Sequence, residues 1–203
     1  MTAAGFCLSW AVPGEDVSSD SQPTDDQELV QRAQGGELAA FEELVRRHQR
    51  GLFSYLYRMC RNSSDAEEIA QAAMVKAWEK LGGFRGASSF KTWLYRIGTN
   101  LCFNLRTRRK PTEELDETMA APDAERPEAA FRQKVREETV HRALALLPDD
   151  QRAALVLSVY QDMSYKEIAE TMGKTLRAVD SLLFRAKTNV RKALAEDRAK
   201  GII

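Results

Sequence analysis

Apolar positions recur every three to four residues along most of the chain, and no stretch alternates at a period of two over a useful length, so the pattern predicts helices and no sheet. A helical block starts at Asp25 and runs through Leu38, Phe41, Leu44, Val45, Leu52, Tyr55, Leu56 and Met59, with Arg46, Arg47, Arg50 and Arg58 set between them. Asn62-Ser63-Ser64 breaks it and can cap a second helix, Asp65 to Leu81. The core stripe of that helix is Ala70, Met74, Ala77, Trp78 and Leu81, widened by Ile69 and Ala73. Glycine and serine content makes 82–89 a loop, after which Phe90 to Arg109 reads as a long helix with Trp93, Leu94, Ile97, Leu101 and Leu105 along its apolar stripe. Pro111 ends it. A second helical block extends from near Pro127 to about Asp197, and Pro148, suited to a first helical turn, divides two of its helices. There is no internal repeat.

Within the second block, Ser164 to Lys187 has the outline of a helix-turn-helix. Ser164 and Glu167 have the spacing at which hydroxyl and carboxylate each satisfy a free amide at a helix start. Gly173 admits a left-handed turn without a Cβ penalty. Thr175 then caps a longer helix carrying Val179, Leu182, Leu183 and Ala186 at helical spacing. A helical hairpin buried in an all-α core has the same outline; the basic flanks favour a helix lying in a DNA major groove.

Charge sharpens this picture. Lys plus Arg and Asp plus Glu each total 30, a neutral sum that taken globally argues against a nucleic-acid binder. The charges are segregated, however. The N-terminal stretch carries Glu15, Asp16, Asp20, Asp25, Asp26 and Glu28 without a base, whereas Lys80 to Lys110 contains Arg85, Lys91, Arg96, Arg106, Arg108 and Arg109 without an acid. Glu113, Glu114, Asp116, Glu117, Asp123, Glu125 and Glu128 follow, opposed only by Arg126. One strongly positive element thus lies between two acidic ones, as a local phosphate-binding surface requires.

These shifts divide the chain into an expected disordered arm (1–24), a first helical domain (25–110), a flexible acidic linker (111–127) and a second helical domain (128–203) ending in the helix-turn-helix. A linker of roughly 20 residues spans at most ~65 Å when fully extended. The expected fold class is all-α, with two small helical domains. Cys7, Cys60 and Cys102 are odd in number and widely spaced, which points away from a disulfide framework or a zinc site and towards a reducing compartment. The apolar run Phe6 to Val12 is too short to span a membrane. A soluble, cytoplasmic protein without cofactor, metal or membrane association is expected. His48 and His141, the only histidines, fall on different domains and read as helix-surface residues, so an enzyme is the least favoured class.

Two surfaces carry candidate chemistry. On the helix from Asp65, the side opposite the core stripe holds Asp65, Glu68, Gln71, Ala72, Val75 and Glu79, small apolar positions among polar ones that suit a docked partner helix or an ordinary solvated face. The loop and helix Phe84-Arg85-Gly86, Ser88-Ser89-Phe90-Lys91-Thr92-Trp93 join hydroxyls and backbone amides to basic and aromatic residues. Hydroxyls, amides and an Asn can hydrogen-bond an extruded base while Arg and Lys hold phosphates. Trp93 falls on the apolar stripe and is expected in the core. Arg106, Arg108, Arg109 and Lys110 close a helix C-terminus, where the helix dipole by itself favours cations.

Taken in order, AFEELVRRHQRGLFSYLYRM, DAEEIAQAAMVKAWEKL, FRGASSFKTWLYRIGTNLCFNLRTRRK and ALALLPDDQRAALVLSVYQDMSYKEIAETMG, with the helix after it, resemble the sigma-70 superfamily, specifically its extracytoplasmic-function (ECF) group. The resemblance covers about Asp25 to Leu194. It implies a subunit that binds core RNA polymerase and directs promoter recognition, DNA melting and initiation. Asp65, Glu68, Gln71, Ala72 and Val75 then match the segment that grips the coiled coil of the largest polymerase subunit. Phe84, Arg85, Ser88, Ser89, Lys91, Arg96, Asn100, Asn104, Arg106, Arg108 and Arg109 match the part that melts the minus-10 element. Lys174, Thr175, Arg177, Ala178, Asp180, Ser181, Phe184, Arg185 and Lys187 match the minus-35 reader. The implied partners are core polymerase, through that coiled coil and its upstream-facing flap, promoter DNA, and an anti-sigma factor.

The chain departs from the family pattern at several points. The polymerase-gripping motif commonly has an acid and, two positions on, an aromatic, where this chain has Ala72 and Met74; a frequent Asp is Asn104. In the reading helix G-T-V-x-S-R is replaced by Arg177-Ala178-Val179-Asp180-Ser181-Leu182. Asp180 can accept from a cytosine amino group, and Leu182 removes a phosphate clamp, so the departures imply altered promoter preference. A free-standing helix-turn-helix regulator is the competing reading, and a helical anti-sigma protein a third. The Gly/Ser loop beside the basic helix favours the first, because a plain regulator needs no single-strand pocket.

Overall fold

The computed structural model describes residues 25–108 and 138–199, with side chains described up to residue 195. The expected arm, the expected linker and Arg109 lie outside the described residues. The elements are α1 (Asp26–Gln34), α2 (Leu38–Cys60), α3 (Ser63–Lys80), α4 (Phe90–Arg108), α5 (described over 138–145), α6 (Asp149–Tyr160), α7 (Tyr165–Met172) and α8 (Leu176–Ala199), with a 3-10 turn at Leu81–Gly83. Among the described residues there is no strand.

The helix boundaries follow local chemistry. The Asn62 side chain accepts a hydrogen bond from the Asp65 amide at 2.8 Å and starts α3. At α7 the Glu167 carboxylate accepts from the Ser164 amide at 2.8 Å, while the Ser164 hydroxyl accepts from the Glu167 amide at 3.3 Å. Gly173 takes φ 63°, ending α7 in the left-handed conformation, and Thr175 Oγ1 accepts from the Ala178 amide at 3.2 Å to open α8. The first expected block is divided: Gly35 and Gly36 separate α1 from α2, because two successive glycines forfeit helix propensity, and Leu38 lies exposed at the start of α2.

Leu44, Leu52, Tyr55, Leu56 and Met59 of α2 form the centre of the first module, enclosed by α1, α3 and α4. The face that α4 turns inward is rotated from the expected stripe. Phe90, Leu94, Tyr95, Gly98, Thr99 and Cys102 are buried, whereas Trp93, Ile97, Leu101 and Leu105 are only partly so. Small and hydroxyl-bearing residues permit the closer approach: a Cβ at Gly98 would stand 3.0 Å from Leu52 Cδ1, and Tyr55 Oη pairs with Thr99 Oγ1 at 2.9 Å. Trp78, expected in the core, remains 41% exposed with one ring face against Phe41.

The second module packs α6 between α7 and α8, with Ala153, Val156, Leu157, Ile168, Val179, Leu183 and Ala186 buried. It also packs on the first. Helix α7 lies against α4 and α6 against α2, and the apolar core is continuous across the junction. Arg152, 3% exposed, spans the junction: Nη1 donates to the Met59 carbonyl at 3.0 Å, while Nε and Nη2 donate to the carbonyls of Leu144, Ala145 and Leu147. Burial, and next the Arg106 charge, pull its guanidinium down to about 10.

The two histidines are structural rather than free surface groups. His48 Nε2 lies 2.6 Å from Asp26 Oδ2 with its ring against Phe90, and the His141 ring meets Tyr57 edge-on.

Candidate nucleic-acid interface

Three polar faces stand outside the core. On α8, burial of Val179, Leu183 and Ala186 turns the opposite side to solvent, and Arg177, Asp180, Ser181, Phe184, Arg185 and Lys187 are all exposed there. A phenylalanine left 72% exposed among two arginines and a lysine has no packing role in this fold. Ser181 Oγ donates to the Arg177 carbonyl at 3.0 Å, which leaves its lone pairs outward. Ala178 is half-buried. Lys174 and Thr175 precede the helix instead of lying on it. The Lys174 ammonium is 3.0 Å from Asp150 Oδ2, and the Thr175 hydroxyl is used as the cap.

On α4, Arg96, Asn100, Asn104 and Arg108 recur every four residues as an exposed stripe, continued at one end by the loop with Arg85. The remaining expected residues of this surface have partners within the fold. Phe84 packs against Trp93 and Phe90, with ring centroids at 4.9 and 6.4 Å. Ser89 is the N-cap of α4: its hydroxyl accepts from the Thr92 amide at 3.1 Å and donates to Thr92 Oγ1 at 2.9 Å. Ser88 is half-buried and its hydroxyl turns to the Ser89 carbonyl. Arg106 donates to the Met59 carbonyl at 3.1 Å and pairs with Asp149 at 2.9 Å. Lys91 donates to the Gln161 carbonyl at 2.6 Å. Lys91 and Arg106 therefore face the second module, whereas the four-residue stripe faces solvent.

On α3, Glu68, Gln71 and Val75 are exposed along one face with Ala72 half-buried among them, and Val75 is 49% exposed. Asp65 is half-buried in the first turn, close to the α2 C-terminus.

The junction between modules holds residues that sequence reasoning did not single out. Tyr95 Oη donates to Gln161 Oε1 at 2.5 Å, and Gln161 Nε2 donates to the Gly51 carbonyl at 3.3 Å. A Cβ on Gly51 would stand 2.6 Å from Tyr95 Oη, so only glycine admits this approach. Burial pushes the phenol of Tyr95 well above its ordinary range. The available signal was Gly51 itself, a glycine inside an otherwise unbroken helical pattern, which generally marks close packing.

Residues 44–112 match the family model described as Sigma-70 region 2, and residues 137–190 match the one described as Sigma-70, region 4. The chain is 38% identical over 180 residues to the RNA polymerase sigma-H factor of Pseudomonas aeruginosa, covering 83% of this chain and 93% of that protein. It is 35% identical over 178 residues to the ECF RNA polymerase sigma-E factor of Escherichia coli, covering 82% and 93%. The solved structure of CnrH in complex with the cytosolic domain of CnrY superposes with a TM-score of 0.67 at 27% identity, covering 85% of this chain and 98% of that one. The sigma factor RpoE of Bartonella quintana, solved with the anti-sigma factor NepR, shares the fold at a TM-score of 0.64 and 22% identity.

Proposed function

The chain belongs to the ECF group of the sigma-70 family, and on that premise we propose that its three exposed faces divide the work of a sigma factor among α3, α4 and α8. As a sigma factor it binds core RNA polymerase and directs transcription initiation. Glu68, Gln71, Ala72 and Val75 form the face for the coiled coil of the largest subunit, with a small apolar centre and a polar rim. Arg85 and the stripe Arg96, Asn100, Asn104 and Arg108 receive the melted minus-10 strand: guanidinium groups hold phosphates and the two amides hydrogen-bond base edges. Extruding a base costs a few kcal/mol, which these contacts offset. The chain itself breaks no covalent bond; nucleotide addition belongs to the polymerase.

The observation that carries the reading is the α8 face. Arg177, Asp180, Ser181, Phe184, Arg185 and Lys187 lie together in solvent on a helix whose other side is locked into a helix-turn-helix core, the geometry that enters a major groove. Arg177, Arg185 and Lys187 supply charge, while Asp180 and Phe184 offer a cytosine acceptor and an apolar contact for a thymine methyl. Residues 25–110 and 128–203 act as the two domains, joined through 111–127. The protein works in the cytoplasm with core polymerase and promoter DNA, and an anti-sigma factor restrains it. The fold-sharing RpoE of Bartonella quintana is solved in complex with the anti-sigma factor NepR. Footprinting tests the assignment: holoenzyme assembled with this chain protects both promoter elements, and Phe184→Ala loses protection upstream only. Protection by the chain alone, unchanged by core polymerase, contradicts it.

A further inference from the structure

Cys60 and Cys102 come together where the end of α2 meets α4, with their Sγ atoms 3.4 Å apart. Both are free thiols; Cys60 is half-buried and Cys102 is fully enclosed. Two cysteines can meet in a core simply as small apolar side chains. Their surroundings distinguish this pair. Arg106 and Arg152 both donate to the carbonyl of Met59, the residue before Cys60, so two guanidinium groups stand beside the sulfurs. The Cys60 thiol as hydrogen-bond donor, helped by those two cations, holds Cys102 below the ordinary thiol range, while sharing its proton with Cys102 pushes Cys60 up. Of the two, Cys102 is the sulfur that ionises first, and Cys60 keeps the shared proton. Cys60 supplies the side open to a small oxidant. Among the described residues no group of three or more His, Cys, Asp and Glu could hold a metal ion.

We propose that Cys60 and Cys102 form a redox-active dithiol that a hydroperoxide oxidises to an intramolecular disulfide joining α2 to α4. The thiolate attacks a peroxide oxygen and the O–O bond breaks; sulfur becomes a sulfenic acid and the departing hydroxide takes a proton to leave as water. The other sulfur then attacks the sulfenic sulfur, and its proton leaves with the displaced hydroxyl as a second water. Two thiols lose two electrons and two protons, and one hydrogen peroxide becomes two waters. Closing the gap needs a sulfur shift of roughly 1.4 Å to reach the ~2.05 Å bond length. A cytosolic dithiol reverses the bond by exchange, as befits transient intracellular disulfides. The bond would fasten the frame that carries both the α3 and the α4 faces, one residue from the Met59 carbonyl that ties the two modules together.

The proposal is independent of the sigma-factor reading and is tested on the full chain bearing Cys7→Ser, which leaves only this pair. Folded protein treated with hydrogen peroxide is expected to lose both titratable thiols and about 2 Da of mass. It should remain monomeric on a non-reducing gel, yield a proteolytic peptide linking positions 60 and 102, and recover both thiols with dithiothreitol. Adding Cys102→Ser should abolish the link and slow peroxide oxidation of the remaining Cys60, because the thiolate is lost. Retention of both thiols in folded protein, with reaction only after denaturation, would overturn the proposal, as would a link between molecules. The wild-type peptide map carries the same information should a variant fail to fold.

Discussion

The ammonium of Lys91 lies 2.6 Å from the main-chain oxygen of Gln161, so a cation expected at the minus-10 element is committed to the turn that leads into the helix-turn-helix. Tyr95 and Gly51 complete the contact through the Gln161 side chain. The ammonium keeps two further donors, but a carbonyl of the second module fixes its position, so this contact links the minus-10 face to the helix-turn-helix.

Gly51→Ala tests this directly. The added methyl would stand 2.6 Å from Tyr95 Oη and push the Gln161 contact apart, although alanine favours the α2 helix by about 1 kcal/mol. The variant should keep its helix content, show a larger radius of gyration by small-angle scattering, and gain amine reactivity at Lys91. An unchanged radius with unchanged Lys91 reactivity would show that this contact does not hold the modules together.

Arg152→Met should be among the most destabilising single changes. It takes a donor from four carbonyls: Met59 keeps Arg106 and Leu144 keeps the Leu147 amide, while Ala145 and Leu147 lose the guanidinium that caps them. Leaving a buried acceptor without its donor costs about 1–3 kcal/mol. Urea denaturation should show that loss, against a change within about 0.5 kcal/mol for Arg191→Ala on the exposed side of α8. Equal midpoints for the two variants would contradict the structural role of Arg152.

The helices and the helix-turn-helix were legible because they rest on local signals. Periodicity placed α2, α3, α4 and α8, and the Ser164, Gly173 and Thr175 chemistry placed the turn. The exposed face of α8 followed directly, since Val179, Leu183 and Ala186 left only one side for Arg177, Asp180 and Phe184. What the pattern does not encode is which polar groups are already occupied. Lys91, Arg106 and Lys174 read as free cations because their partners, Gln161, Asp149 and Asp150, come from distant positions. The inward rotation of α4 escaped for a related reason: Gly98 and Thr99 do not register as core on an apolar scale, yet their size and hydroxyl let α4 pack close against α2.

The capping box of α7 should give a measurable pH signature. The Ser164 hydroxyl and then the Ser164 amide, both donating to Glu167, hold its carboxyl below the ordinary 4.5. A depressed native value means that the unfolded chain binds more protons, so the stabilisation is complete above about pH 4.5 and is lost as pH falls through the native value. Ser164→Ala should return the Glu167 titration, followed by NMR, towards its ordinary range and cost about 1 kcal/mol of stability. A Glu167 titration unmoved by the change would sink this account.

On α8, two variants should separate phosphate holding from base reading. Arg185→Ala should weaken binding on every promoter and lower the salt slope by about 1, whereas Asp180→Ala should change which minus-35 sequence is preferred. Equal losses from both across a promoter library would remove the base-reading role from Asp180.

The central claim is that this chain confers promoter-specific initiation on core RNA polymerase, and runoff transcription from a randomised promoter library measures it most directly. Core polymerase with this chain should produce transcripts enriched for one pair of minus-35 and minus-10 elements, and neither component alone should do so. Arg96→Ala combined with Asn100→Ala should abolish runoff while upstream binding persists. Transcripts showing no element preference, or a chain that fails to associate with core polymerase, would contradict the account.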